Sequence, residues 1–161
     1  MDKTKRTEEF NEARSSLGLG LKIAFPTKPV PSIMKVIEKN VSPSVVAELL
    51  NEERWDIVNP VRFQEQAGEF FGVKKSGVLY YLPAIMVSVL YDFADHGGNL
   101  GLTMVSILRK DNPWGITTAD LTEPQLILVR NFVKIMLDFG FVEKDELYAE
   151  ELWHGLLSGS R

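Results

Sequence analysis

The sequence predicts an all-α protein, an irregular single-domain helical bundle around one kinked, buried central helix. From Gly77 to Tyr91 the chain reads GVLYYLPAIMVSVLY, fifteen residues without a charge and with Pro83 in the middle. Such a run fits a helix buried on nearly every side. Most other segments open on a helix-start signal, serine, threonine or asparagine next to a proline or a periodic apolar run. Alternation of apolar and polar residues is confined to Leu21–Phe25, which leaves room for at most one small strand pair.

The elements follow in order. Residues 4–17 place Phe10, Ala13 and Leu17 at helical spacing, with a stop expected at Gly18 or Gly20. LKIAF then reads as a short strand or as one more helical turn, and Pro26, Pro29 and Pro31 impose an extended connector. Residues 1–31 are therefore expected to form an N-terminal arm over a helical body at 32–161, all within one domain of 161 residues. Ser32 caps a short helix over Ile33–Lys39. Ser42 with Pro43 opens another through Asn51. Asn59 with Pro60 starts a helix that carries Phe63, Ala67, Phe70 and Phe71 inward and ends at Gly72.

Ser76 is the expected cap of the central helix. Pro83 lacks an amide proton and crowds the carbonyl four residues back, so the helix is expected to bend near Tyr80 or restart at Leu82. After the His96-Gly97-Gly98 turn, Asn99 caps a helix with Leu100, Met104, Ile107 and Leu108 buried. Thr122 with Gln125 three residues on has the form of a capping box. The helix it opens points Leu126, Val129, Val133 and Met136 inward, reaches Asp138 and stops before Gly140. A last helix near 146–157 is expected to bury Tyr148, Leu152 and Leu156.

Composition excludes several chemistries. The chain is 45% hydrophobic and 25% charged, an ordinary globular balance, and contains no cysteine, so thiol nucleophiles, cysteine zinc sites and disulfides are ruled out. The charged amino terminus has no apolar run behind it, and the fifteen-residue run is shorter than the roughly 20 residues a membrane span needs. A cytoplasmic location without membrane association is expected. Net charge is −4, and residues 81–161 carry 6 basic against 11 acidic side chains, a balance that disfavours nucleic acid and suits a basic protein partner.

No catalytic or cofactor motif stands out. Asp92, Asp95 and His96 share a helical face, and Glu151 with His154 has the Glu-x-x-His spacing of carboxylate-bridged metal sites, but neither pattern is repeated as such a centre requires. There is no nucleophile elbow. Gly18-x-Gly20 lacks the third glycine and the lysine of a phosphate loop. No metal or cofactor is expected. The segment Leu121–Glu146 has the outline of a winged-helix recognition element, yet it offers only Arg130 and Lys134 to phosphates, with Arg109 and Lys110 elsewhere.

The order Ala24-Phe25-Pro26, Glu52-x-x-Trp55, Tyr81-Leu82-Pro83-Ala84 and then a helix opening just before Gln125 resembles a family of small bacterial proteins without an assigned activity. The resemblance spans residues 20–138 and implies an accessory role of the immunity-protein kind. Trp55, Trp114 and Trp153 sit beside polar sequence, where large aromatics serve as interface anchors. The first functional expectation is a non-enzymatic protein that masks a partner, as an immunity protein neutralises a toxin. Trp153, Glu146, Glu150, Glu151 and Trp114 are then the partner-binding residues. The second is a small-molecule site or enzyme pocket beside the Pro83 kink, formed by Tyr80, Tyr81, Pro83, Asp92 and His96. The third is a DNA-binding regulator.

Overall fold

The computed structural model describes residues 2–94 and 98–142. The described chain is all-α: α1 Lys3–Ala24, α2 Ile33–Val36, α3 Pro43–Leu50, α4 Pro60–Glu65, α5 Lys75–Val89, α6 Gly98–Leu108 and α7 Glu123–Asp138. Turns of 3-10 helix span Trp55–Ile57, Ala67–Gly72 and Thr118–Asp120. Among the described residues the β-type pairing is a single antiparallel bridge, Ile37 to Val73.

The charge-free run becomes α5, buried on nearly every side from Gly77 to Val89 and packed against α1, α2, α4, α6 and the Trp55–Ile57 turn. Of the two outcomes expected at Pro83 the restart at Leu82 does not occur, and the expected cap needs correction. The helix passes through Pro83 as one uninterrupted element, without a restart at Leu82. Its cap is Lys74, not Ser76, because the Lys74 N–H donates to the Val36 carbonyl at 2.6 Å, so helical geometry begins just after the bridge. Gly77 permits this crossing: an added Cβ would lie 2.6 Å from Val73 Cγ1 and 2.8 Å from Val36 Cβ.

The first helix is longer than expected. It continues through Gly18 and Gly20 to Ala24, so LKIAF forms helical turns and no strand. Each glycine costs about 1 kcal/mol of helix propensity relative to alanine, but burial of Leu17, Leu21 and Phe25 outweighs that penalty. Gly20 also lets α7 come close, since a Cβ there would meet Leu128 Cδ2 at 2.6 Å. Far from ending at residue 17, α1 lies along α7 and touches α5, with Phe10 fully buried. Phe10, Phe93, Phe139 and Phe141 cluster at one end, with Phe10 centroids 4.9, 5.3 and 5.5 Å from the other three. Arginines of α1 satisfy carbonyls at the ends of two neighbours. Arg14 donates to Leu90 at 3.2 Å and to Tyr91, and Arg6 donates to Asp138 at 3.2 Å.

The capping expectations hold where a side chain can reach. Asn59 Oδ1 accepts from Val61 and Arg62, and Thr122 with Gln125 forms the full capping box of α7. Ser32 and Ser42 occupy the expected cap positions, but their side chains do not close the cap bond. Glu52 Oε1 accepts from the Ile33 N–H instead, at 3.1 Å. The helix begun at Pro60 breaks at Gln66 into the Ala67–Gly72 turn, which leaves Phe71 exposed while Phe63 and Phe70 stay buried. In α6, Leu100, Met104, Ile107 and Leu108 are buried as expected; Asn99 lies inside the first turn rather than before it. Gly140 adopts a positive φ of 78° just past α7.

Candidate functional site

Segments far apart in sequence meet at one place, the chain turning out of α1 at residues 24–27, where Gln125, Trp55 and Tyr80, the residue before the Tyr81–Ala84 motif, each reach a carbonyl. Gln125 Nε2 donates to the Ala24 carbonyl at 3.0 Å, Trp55 Nε1 to the Pro26 carbonyl at 3.1 Å, and Tyr80 Oη to the Thr27 carbonyl at 2.6 Å. The same Tyr80 oxygen accepts the Trp55 N–H at 3.3 Å. Tyr81 Oη donates to the Glu53 carbonyl at 2.7 Å, steadying the loop that carries Trp55. A connector with three prolines has few amide donors of its own, so side-chain donors from α5, α7 and the Trp55 loop supply its carbonyls. That Tyr81 and Trp55 hold backbone far away in sequence is a relation no local pattern reveals.

Burial pushes the Tyr80 phenol above its ordinary value, with the Trp55 N–H acting the other way. Tyr81 is raised further, first by burial and then by Tyr80 and Glu53. Both phenols therefore stay protonated and donate. Glu53 is held below its ordinary value by Arg62, which it meets at 2.7 Å, against the opposing effect of burial.

Beside this clamp a cleft of about 440 Å³ opens between α1 and α5. Gly18, Leu19 and Lys22 form one wall, Ala84, Val87 and Ser88 the floor, and Trp55, Asp56 and Val58 the far wall. Arg54 binds both Asp56 oxygens, at 3.0 and 2.6 Å, and holds that carboxyl below its ordinary value despite burial; Lys22 adds a smaller pull in the same direction. A second cleft, about 480 Å³, follows the other flank of α1 against α7, between Gly20 and Leu128. The outward face of α1 presents two large apolar side chains among the exposed polar residues Ser15, Ser16 and Lys22. Leu19 is 66% exposed and Ile23 89% exposed, one helical turn apart. Ile57, next to the cleft residue Val58, is also exposed.

The expected site residues are distributed differently. Trp114 is a lid on the core and not a presented anchor: it is 8% exposed, stacks on Phe71 at 5.2 Å and donates Nε1–H to the Phe70 carbonyl at 3.2 Å. Trp55 is likewise buried, though one edge faces the cleft. Tyr81 and Pro83 are enclosed, and Tyr80 is spent on the clamp, so they do not converge with Asp92 on a pocket. Asp92 lies beyond the end of α5 at Val89, and its carboxylate caps the Ala94 N–H at 2.9 Å. His96, Trp153, Glu146, Glu150 and Glu151 lie outside the described residues. Of the cations considered for nucleic acid, Lys134 is paired with Asp138 at 2.6 Å and Arg109 meets Asp111 at 3.5 Å.

Among the described residues no group of three or more histidines and carboxylates is placed to hold a metal ion, and no helix is long and apolar enough to cross a membrane. No protein-family model, curated protein or solved structure matches the chain.

Proposed function

We propose that this chain is a protein-binding module that masks a partner protein, with the outward ridge of α1 as its principal contact. The observation that carries this reading is the exposure of Leu19 and Ile23 on a helix fixed at its end by the 24–27 clamp. Covering a leucine or isoleucine side chain yields about 1.5–3 kcal/mol, and a ridge on a preformed helix gives that gain at a reduced ordering cost. The two flanking clefts provide relief into which partner side chains fit. The shifted groups Glu53, Asp56, Asp120, Tyr80 and Tyr81 each have an internal partner, which favours a binding role over acid/base chemistry. The acid-rich sequence with Trp153, Glu146, Glu150 and Glu151 is proposed as a second contact, suited to a basic partner.

The test is affinity capture from a lysate of the source cells with wild-type chain, Ile23→Asp and Trp153→Ala, at low and moderate salt. A stoichiometric protein retained by wild type and lost with Ile23→Asp supports the ridge. Equal retention by both overturns it, and loss only with Trp153→Ala moves the contact to the carboxy-terminal segment.

A further inference from the structure

The α1–α5 cleft has a direction. Arg14 reaches the Leu90 and Tyr91 carbonyls at the end of α5, whereas the far end of α1 is tied through Trp55 to Tyr80, so the two helices run antiparallel. Lys22 and Asp56 therefore stand at one end of the cleft and Ser15 and Ser88 at the other, about 10 Å apart along the helix. Apolar groups of Leu19, Val58, Ala84 and Val87 line the space between. Gly18 leaves the wall open, since a Cβ there would meet nothing within 4 Å.

The polar groups select the ligand. Asp56 has both oxygens occupied by Arg54, whereas Lys22 makes no ion pair among the described residues. The charge available at that end is thus positive. Ser88 stands at the opposite end, 1% exposed, with its backbone carbonyl accepting from Gln64 Nε2 at 2.8 Å. We infer that the cleft binds an amphipathic carboxylate with a medium-length apolar chain, its headgroup on Lys22 and its chain directed toward Ser88. This goes beyond the masking role: the ligand enters beside the ridge, and Ile23 is not part of its wall.

The test is a titration of the full chain with decanoate, followed by proton–nitrogen correlation NMR. The expected result is a saturable shift of the Trp55 indole N–H and of the Gly18 and Val87 amides, with the Trp114 indole unmoved. Decanol, which lacks the carboxylate, should bind about tenfold more weakly or worse. Lys22→Gln should remove that advantage, and Gly18→Leu, which fills the open wall, should abolish binding of both while the helical circular dichroism is retained. Ile23→Asp should leave decanoate binding unchanged, which separates this inference from the masking reading. A Trp55 indole that does not move, equal affinity for decanol and decanoate, or Lys22→Gln without effect would overturn it. So would shifts centred on Ile23 that persist in Gly18→Leu, which would show surface adsorption of the chain.

Discussion

Trp55 and Tyr80 hold one turn together: the indole takes the Pro26 carbonyl, the phenol takes the Thr27 carbonyl, and the phenol oxygen also receives the Trp55 backbone N–H. Tyr80→Phe keeps the ring and strands both an acceptor and a donor. It should destabilise the fold by about 1–3 kcal/mol, read as a lower urea midpoint with unchanged slope.

Two glycines give opposite signs. Gly77→Ala should destabilise by about 1–3 kcal/mol through overpacking against Val36 and Val73, despite the better helix former. Gly18→Ala meets open space and should stabilise by about 0.5–1 kcal/mol. Thermal unfolding of the two variants beside wild type measures both signs, and a stabilising Gly77→Ala would contradict the crossing described at Val36.

The Glu53–Arg62 pair makes stability depend on pH. Because Glu53 is held below its ordinary value of 4.5, its contribution is complete above that pH and is lost as pH falls through the lower folded value. Wild type should therefore lose urea resistance between about pH 5 and pH 3 more steeply than Glu53→Gln. Parallel curves for the two proteins would show that the pair does not couple to folding.

Gln125 serves two partners. Its Oε1 accepts the Thr122 N–H at 3.0 Å while its Nε2 holds the Ala24 carbonyl. Thr122→Ala should cost about 1 kcal/mol, as caps do. Gln125→Ala should cost more, and should also raise amide exchange at the end of α1, where Thr122→Ala should not.

The ridge should be dispensable for folding. Leu19→Asp and Ile23→Asp are expected to change stability by about 0.5 kcal/mol or less while abolishing capture of the masked protein. A large loss of stability would place these side chains in the packing instead.

Legibility from sequence tracked the range of the interactions. α7 could be read almost completely because its cap, its apolar stripe at Leu126, Val129, Val133 and Met136 and its Gly140 stop are all local. The run through Gly18 and Gly20 could not, because what carries α1 onward is core packing and the approach of Leu128, a residue more than a hundred positions away. The break at Gln66 likewise has no local stop signal, and it turned Phe71 outward against expectation. Trp55 and Trp114 stand beside polar sequence, a setting that suits an interface anchor and a lid on the core alike; their carbonyl acceptors, Pro26 and Phe70, lie 29 and 44 residues distant. The α1–α5 cleft was missed for the same reason, since its walls come from three separate stretches.

The bond from Gln125 to Ala24 bridges 101 residues, and it has a consequence for synthesis. During translation α1 leaves the ribosome well before α7, along which most of its apolar side can shelter. Leu17 and Leu21 must wait, largely uncovered, until residues 123–138 have emerged. Nascent chains arrested short of Glu123 should thus be clipped by protease within α1 and recruit holdase chaperones there, and chains released past Asp138 should become resistant in one step.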